Sequence, residues 1–151
     1  SEHEYKSKLR LGDQLGRDFT VAEMQDDGIA KRYKNKGRTN KDWYGWRKNV
    51  LAPFDGKVTR VQYPDTTNKP GTMNRDADPG LIFFQNKNHV TVIYAHAREI
   101  EVEEGQQVKA GDVVAKVGNN GNSRLPHIHV GTWNKDTPLQ IQVDLYAPHR
   151  N

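Results

Sequence analysis

Two histidines separated by one apolar residue, His127 and His129, are the residues of this chain whose spacing best suits chemistry. Ile128 and Val130 alternate with them in the pattern of a β-strand, whose side chains point to opposite faces in turn. We therefore expect both imidazoles to project from one strand face, within reach of a single ion or polarised water. The Gly- and Asn-rich segment 118–123 predicts a tight loop just before them. Taken alone, such a pair is as typical of a solvated strand face as of a functional site.

The composition predicts a single β-rich domain around this pair. The chain has 151 residues, of which 34% are hydrophobic, and its 13 glycines and seven prolines indicate many turns. The absence of cysteine excludes disulfides and thiolate zinc sites. No apolar segment approaches the roughly 20 residues needed to span a membrane. The sequence near Ser1 lacks the apolar segment of a signal peptide.

Basic and aromatic residues are concentrated between residues 31 and 48, in a chain whose net charge is +4. Such a mixture suits a polyanionic partner, either nucleic acid or a cell-wall or polysaccharide surface. The alternative is a solvated loop whose aromatic side chains anchor it to the core. The residues concerned are Lys31, Arg32, Tyr33, Lys34, Lys36, Arg38, Lys41, Trp43, Tyr44, Trp46, Arg47 and Lys48.

The elements that must position the histidines are short strands separated by turns. The strongest signal is a hairpin, in which two apolar segments flank the turn Asn86-Lys87-Asn88. The predicted strands are 57–61, 81–84, 90–94, 101–102, 107–108 and 113–117, with one more returned by the tail from Trp133 to Leu145. Two long loops, 24–41 and 63–80, are expected to wall the groove above the histidines, and no long helix is predicted.

The order of the motifs resembles that of the lysostaphin/LytM-type family of zinc metallopeptidases, many of which cut peptide cross-links in bacterial cell walls. The matching motifs are Ala52-Pro53-x-Asp55-Gly56, Tyr94-Ala95-His96, Gly105-Gln106-x-Val108-x-Ala110-Gly111-Asp112, Gly118-Asn119-x-Gly121 and Pro126-His127-Ile128-His129. The resemblance covers about residues 50–130, and the final His-x-His is its most specific element. It implies an all-β fold, an antiparallel β-sheet/barrel-sandwich hybrid of the duplicated hybrid motif type, with long surface loops and little helix, in one domain over residues 1–151.

The same resemblance implies a zinc site. In that family the zinc is held by the His and Asp of an H-x-x-x-D motif and by the second His of H-x-H. The first His of H-x-H and the His after Tyr-Ala lie beside the zinc-bound water and the developing oxyanion. On this chain, His129 would be a metal ligand and His127 and His96 the catalytic pair.

The upstream motif departs from the family pattern, because no histidine stands four residues before a suitable aspartate. One candidate pairs Gln14 with Asp18, and the other pairs Arg38 with Asp42. We prefer Gln14 and Asp18, since the cations around Asp42 would repel a divalent ion. Gln14 offers only a neutral amide oxygen, so zinc should bind weakly or not at all unless another group contributes.

We therefore expect a zinc-dependent metalloendopeptidase that hydrolyses peptide bonds in peptidoglycan cross-links or stem peptides. The alternative is a catalytically inactive family member that binds cell wall or a protein partner. A phosphocarrier or lipoyl-like domain would need a modifiable His or Lys at a hairpin tip, where the segment 103–105 has carboxylates instead. We expect an extracytoplasmic location and no nucleic-acid partner. His3, His89 and His149 are predicted to lie outside the site.

Overall fold

The computed structural model describes residues 13–143, and nearly all of their regular structure is β. The strands are β1 (Arg17–Phe19), β2 (Glu23–Met24), β3 (Ala30–Lys31), β4 (Asn49–Leu51), β5 (Gly56–Gln62), β6 (Leu81–Gln85), β7 (Val90–Ala95), β8 (Ala97–Arg98), β9 (Gln107–Val108), β10 (Val113–Val117), β11 (Ile128–Asn134) and β12 (Thr137–Pro138). One short 3₁₀ helix spans Asn40–Asp42. His3, His149 and the end of the predicted tail strand lie outside the described residues.

The strands form one large antiparallel sheet and two small ones. The large sheet has the order β1-β11-β7-β6-β5-β9, with β12 paired to the end of β11. A three-stranded sheet has the order β4-β10-β8, and β2 pairs with β3. The predicted all-β antiparallel fold with little helix is confirmed, and within residues 13–143 the sheets do not close into a barrel. No helix in this part of the chain is long and apolar enough to cross a membrane.

The main core lies between the large sheet and the three-stranded sheet. Val58, Ile82 and Phe84 are fully buried there, packed in one cluster with Val114 and Ala115 of β10. Each of the buried Val, Ile and Phe side chains stabilises the fold by about 1.5–3 kcal/mol relative to an exposed one. A second cluster covers the opposite face of the large sheet and includes Leu81, Phe83, Ile93, Ala95 and Trp133. Burial on both faces explains why β6 reads as an uninterrupted apolar run.

The predicted hairpin is confirmed as β6 and β7. The Asn86 side chain closes its turn, because Oδ1 accepts hydrogen bonds from the N–H groups of Asn88 (2.9 Å) and Val90 (3.1 Å). The strands predicted at 57–61, 107–108 and 113–117 are likewise present as β5, β9 and β10.

Two sequence predictions are wrong in detail. The segment 101–102 is not a strand, because its backbone pairing with β10 consists of one hydrogen bond, from Glu101 N–H to Val114 O (2.9 Å). The loop predicted at 24–41 contains part of a small hairpin, β2–β3. Gly28 adopts a left-handed φ of +79° in its turn, and Asp27 Oδ1 accepts a hydrogen bond from Ile29 N–H (3.0 Å).

Candidate active site

The pairing of β1 with β11 places Asp18 directly opposite His129. Residues opposite each other in an antiparallel pair share a face of the sheet. Asp18 Oδ1 accordingly lies 2.7 Å from His129 Nδ1 and 3.6 Å from His127 Nε2. One carboxylate oxygen therefore faces both imidazoles of the His-x-His motif.

Asp13 occupies the other side of the His129 ring, with Oδ1 2.9 Å from Nε2. It lies in the turn before β1, where Gly16 N–H donates to Asp13 O (3.3 Å). A neutral imidazole carries one N–H, so it can donate to only one of the two carboxylates that face it. A carboxylate on the far nitrogen is the common way to orient a metal-ligating histidine. Sequence reasoning missed Asp13, although a second carboxylate just upstream of Asp18 was a visible signal.

His127 is held by the loop that precedes β11. Its Nδ1 lies 2.8 Å from Leu125 O and 3.3 Å from Ser123 Oγ. Because a carbonyl oxygen only accepts hydrogen bonds, Nδ1 carries the proton in the neutral ring, and Nε2 keeps its lone pair. Nε2 is the ring nitrogen that lies 3.6 Å from Asp18 Oδ1. The residue is buried, with 8% of its surface exposed.

His96 forms the bend between β7 and β8, in a left-handed conformation with φ of +68°. Its Nδ1–H donates to Asn120 O (2.9 Å), which leaves Nε2 as an acceptor. Its ring centroid lies 4.8 Å from that of His127 and 6.5 Å from that of His129. Burial, reinforced by His127 nearby, lowers the pKa of His96 to about 4, so the ring is neutral at pH 7. The structure thus brings all three sequence-predicted histidines together.

Asn120 holds the His96 bend in place through its side chain. Its Nδ2 donates to Ala97 O (3.0 Å) and His96 O (3.3 Å), and its Oδ1 accepts from Gly80 N–H (2.8 Å). Two glycines allow the backbones to approach: a Cβ on Gly80 would lie 1.9 Å from Ala97 O, and one on Gly118 would lie 2.5 Å from His96 O.

A buried polar network fixes the loop that carries His127. Asn68 Nδ2 donates to Gly121 O and to Ser123 O, each at 2.8 Å, which joins this loop to the loop 63–80. Ser123 Oγ lies 2.8 Å from Asn119 Oδ1, and Asn119 Nδ2 donates to Asn40 Oδ1 (3.0 Å). The loop 63–80, predicted to wall the groove, therefore supports the site by holding the loop that carries His127.

Two of the residues present are well suited to bind one zinc ion. Asp18 and His129 supply a carboxylate oxygen and an imidazole nitrogen, both common zinc ligands, on paired strands. Gln14 lies exposed in the turn before β1, and an amide oxygen is a weak third ligand. In residues 13–143 no group of three His, Cys, Asp or Glu side chains is arranged to hold a metal ion.

The other predicted candidates lie elsewhere. The Asp42 carboxylate accepts hydrogen bonds from Asn35 Nδ2 (2.9 Å) and Thr39 N–H (3.3 Å), and the Asn35 bond lowers its pKa. It therefore closes its own 3₁₀ turn, and in the described part of the chain neither histidine of His-x-His pairs with it. His89 lies in the β6–β7 turn, at the opposite end of β7 from His96.

Residues 45–141 match the model of peptidase family M23. The chain belongs to this family. The matched range includes His96, His127 and His129 and begins after Asp13 and Asp18. A protein of Haemophilus influenzae named as an uncharacterized metalloprotease is 32% identical over 80 residues, which are 53% of this chain and 15% of that protein. The chain thus spans a small part of this curated relative.

Solved structures support the family assignment at the level of the fold. A putative M23 peptidase from Pseudomonas aeruginosa aligns with a TM-score of 0.52 and 20% identity, covering 92% of this chain and 57% of that chain. A structure of the SpoIIIAH and SpoIIQ complex aligns with a TM-score of 0.53 and 18% identity, covering 86% of this chain and 92% of that chain. The M23 fold predicted from the motifs is confirmed.

Proposed function

We propose that this M23 domain is a zinc-dependent metalloendopeptidase that hydrolyses peptide bonds in peptidoglycan cross-links or stem peptides, outside the cytoplasm. Family membership supports the class of activity. The observation that carries the proposal is the convergence of His129 and His127 on Asp18, with ring nitrogens 2.7 and 3.6 Å from one carboxylate oxygen. Neutral His96 lies beside them.

Asp18 and His129 would hold the zinc, with Gln14 or another group completing the site. A bound zinc lowers the pKa of its water towards about 7 and polarises a carbonyl. Asp13, at the far nitrogen of His129, orients that ring.

The two remaining histidines have different proton roles. His96 is neutral and uses its N–H on Asn120 O, so its Nε2 is suited to accept a hydrogen bond from the attacking water. His127 Nε2 lies 3.6 Å from the same Asp18 oxygen that faces His129, so this ring nitrogen is next to the position where the zinc would be held. A protonated His127 can donate to the developing oxyanion or to the leaving amine.

The second candidate is a catalytically inactive member that uses the same groove to bind a glycan-peptide or a protein. The observation that favours it is Gln14, which leaves two good zinc ligands where catalytic sites use three. One chain that shares this fold comes from the structure of the SpoIIIAH and SpoIIQ complex.

Zinc titration of metal-free protein by calorimetry tests the metal. Wild type should bind zinc more tightly than His129→Ala, which removes one of the two good ligands. Gln14→His supplies the missing imidazole, and we expect it to raise the affinity by about 10-fold or more. If wild type binds no more tightly than His129→Ala, the zinc peptidase proposal is refuted.

Digestion of purified peptidoglycan then separates the two functions. An enzyme should release soluble peptide fragments, and His127→Ala should abolish the release while preserving the fold. Zinc binding with no fragment release from wild type, and with release by Gln14→His, would identify an inactive binding module with a repairable site.

A further inference from the structure

A cleft of about 380 Å³ lies beside the candidate active site, and its lining contains two arginines. Asp18 and His127 contribute to the cleft, together with Arg32 and Arg124, which lie on the loops around the site. Arg32 also lines a second cavity, of about 590 Å³, together with Lys31 and Lys34. No carboxylate of the described residues lines this second cavity, so the positively charged surface extends from the cleft into it.

Neither arginine of the cleft is neutralised by the described part of the protein. In residues 13–143, no carboxylate forms an ion pair with Arg32 or Arg124, whereas Arg47 is paired with Glu99 at 2.7 Å. Arg32 lies 5.8 Å from the centroid of the Trp43 ring, a cation–π contact that leaves its donors available. Asp18 is the one described carboxylate in the lining, and it is already engaged by His129.

The backbone beneath each arginine is fixed by hydrogen bonds. Arg124 O accepts from Gly71 N–H (2.8 Å), and the residue before it, Ser123, is buried. Arg32 O accepts from Tyr44 N–H (3.0 Å). Because the backbone at both arginines is already held, it does not have to be ordered when a ligand binds, which reduces the protein's share of the entropy cost.

We propose that this cleft selects peptides that carry free carboxylates next to the peptide residue that contacts His127. Arg124 and Arg32 are the groups that pair with these carboxylates. The inference rests on the proposed function to the extent that the ligand is a peptide. A guanidinium presents two parallel N–H donors that match the two oxygens of a carboxylate. A single-stranded nucleic acid fits less well, because no Phe, Tyr or Trp of the described residues lines the cleft for base stacking.

Two synthetic tetrapeptides with their residues in the same order test this selectivity. One has a glutamate side chain and a free C-terminal carboxylate, and the other has both groups as carboxamides. Their affinities for the metal-free full chain are measured by NMR titration at low salt, without any need for hydrolysis. We expect the acid form to bind about tenfold more tightly, and the advantage to fall as salt is added.

The variants Arg124→Gln and Arg32→Gln should each bring the ratio of the two affinities closer to one. Lys87→Gln is the matched control, since it removes the same charge in the β6–β7 turn at the far end of β7 from His96. It should leave the ratio unchanged. Equal affinities for the two peptides in wild type, or an unchanged ratio in both arginine variants, would overturn the proposal.

Two further outcomes are informative. An oligothymidylate that competes with the acid peptide at equal concentration would show a general polyanion site and also overturn the proposal. Selective peptide binding without any cleavage of peptidoglycan would support this inference while refuting the peptidase activity. Cleavage of both peptides at equal rates, with equal affinities, would support the peptidase activity and overturn this inference.

Discussion

Replacement of Asn120 by alanine should destabilise the protein strongly, although residue 120 touches no predicted metal ligand directly. Asn120 is 2% exposed, and its amide bridges three backbone groups around the His96 bend. The alanine variant leaves Gly80 N–H and Ala97 C=O without their partner. Each buried group left unsatisfied costs about 1–2 kcal/mol, which gives a loss of about 2–4 kcal/mol in the free energy of unfolding.

Urea denaturation followed by tryptophan fluorescence measures this loss. For a domain of this size the same loss lowers the melting temperature by about 5–15 °C. Asn122→Ala is the matched control, because Asn122 is an exposed asparagine of the same loop. It should change the stability by less than about 0.5 kcal/mol. If the two alanine variants are equally stable, the Asn120 contacts do not hold the bend.

Asn120→Asp tests the direction of the hydrogen bonds. An aspartate keeps the acceptor for Gly80 N–H but turns a carboxylate oxygen towards the carbonyls of Ala97 and His96. At pH 7 this variant should be less stable than Asn120→Ala, since a buried charge is added. The difference should shrink towards pH 4, because a protonated carboxyl can donate to Ala97 O. A constant difference across this range would contradict the assignment of donor and acceptor.

Three further predictions concern the same region. Gly80→Ala should destabilise far more than Gly45→Ala in urea denaturation, since the new Cβ would lie 1.9 Å from a backbone oxygen at position 80 and 3.5 Å from its nearest neighbour at position 45. The free energy of unfolding should fall between pH 6.5 and 4, because His96 has a pKa of about 4 when folded and about 6.5 when unfolded, so the unfolded chain binds the proton first. This fall should be smaller in His96→Gln, and an identical pH profile would refute the assigned pKa. Asp13→Asn should weaken zinc binding by about 10-fold in calorimetry, while equal affinity would show that Asp13 does not orient His129.

The parts of the fold that could be predicted from sequence are those encoded locally. The β6–β7 hairpin follows from two apolar segments and the turn-forming Asn86, all within 15 residues of sequence. The alternation of His127 and His129 likewise predicts that they share a face, and both rings face Asp18. Such signals depend on backbone geometry alone, so they survive without knowledge of tertiary contacts.

The supporting contacts of the site could not be predicted, because they join residues far apart in the chain. Asn120 holds a bend 24 positions upstream, and Asp13 reaches a ring 116 positions downstream. Neither contact leaves a periodic pattern in the sequence, since each is made by one polar residue in a loop or turn. The assignment of Gln14, Asp18 and His129 as metal ligands and of His96 and His127 as catalytic residues stays a prediction.

The position of Asp18 has a consequence for stability. It lies on β1, a strand of three exposed residues whose only partner strand within residues 13–143 is β11. Such a strand buries little surface, so it should open locally far more often than β6 or β7. A zinc ion bound by both Asp18 and His129 would join this strand to the sheet, and its binding free energy would then oppose the opening.

Hydrogen exchange can detect this coupling independently of catalysis. Zinc at about 100 times its dissociation constant adds about 2.7 kcal/mol of protection to any opening that breaks the site. The amides of β1 that pair with β11 should therefore exchange up to about 100-fold more slowly with zinc, whereas the amides at the centre of β6 should change much less. His129→Ala should remove the effect. Zinc that binds with unchanged exchange in β1 would mean that Asp18 is not a ligand, because a ligand on that strand cannot be bound while the strand opens freely.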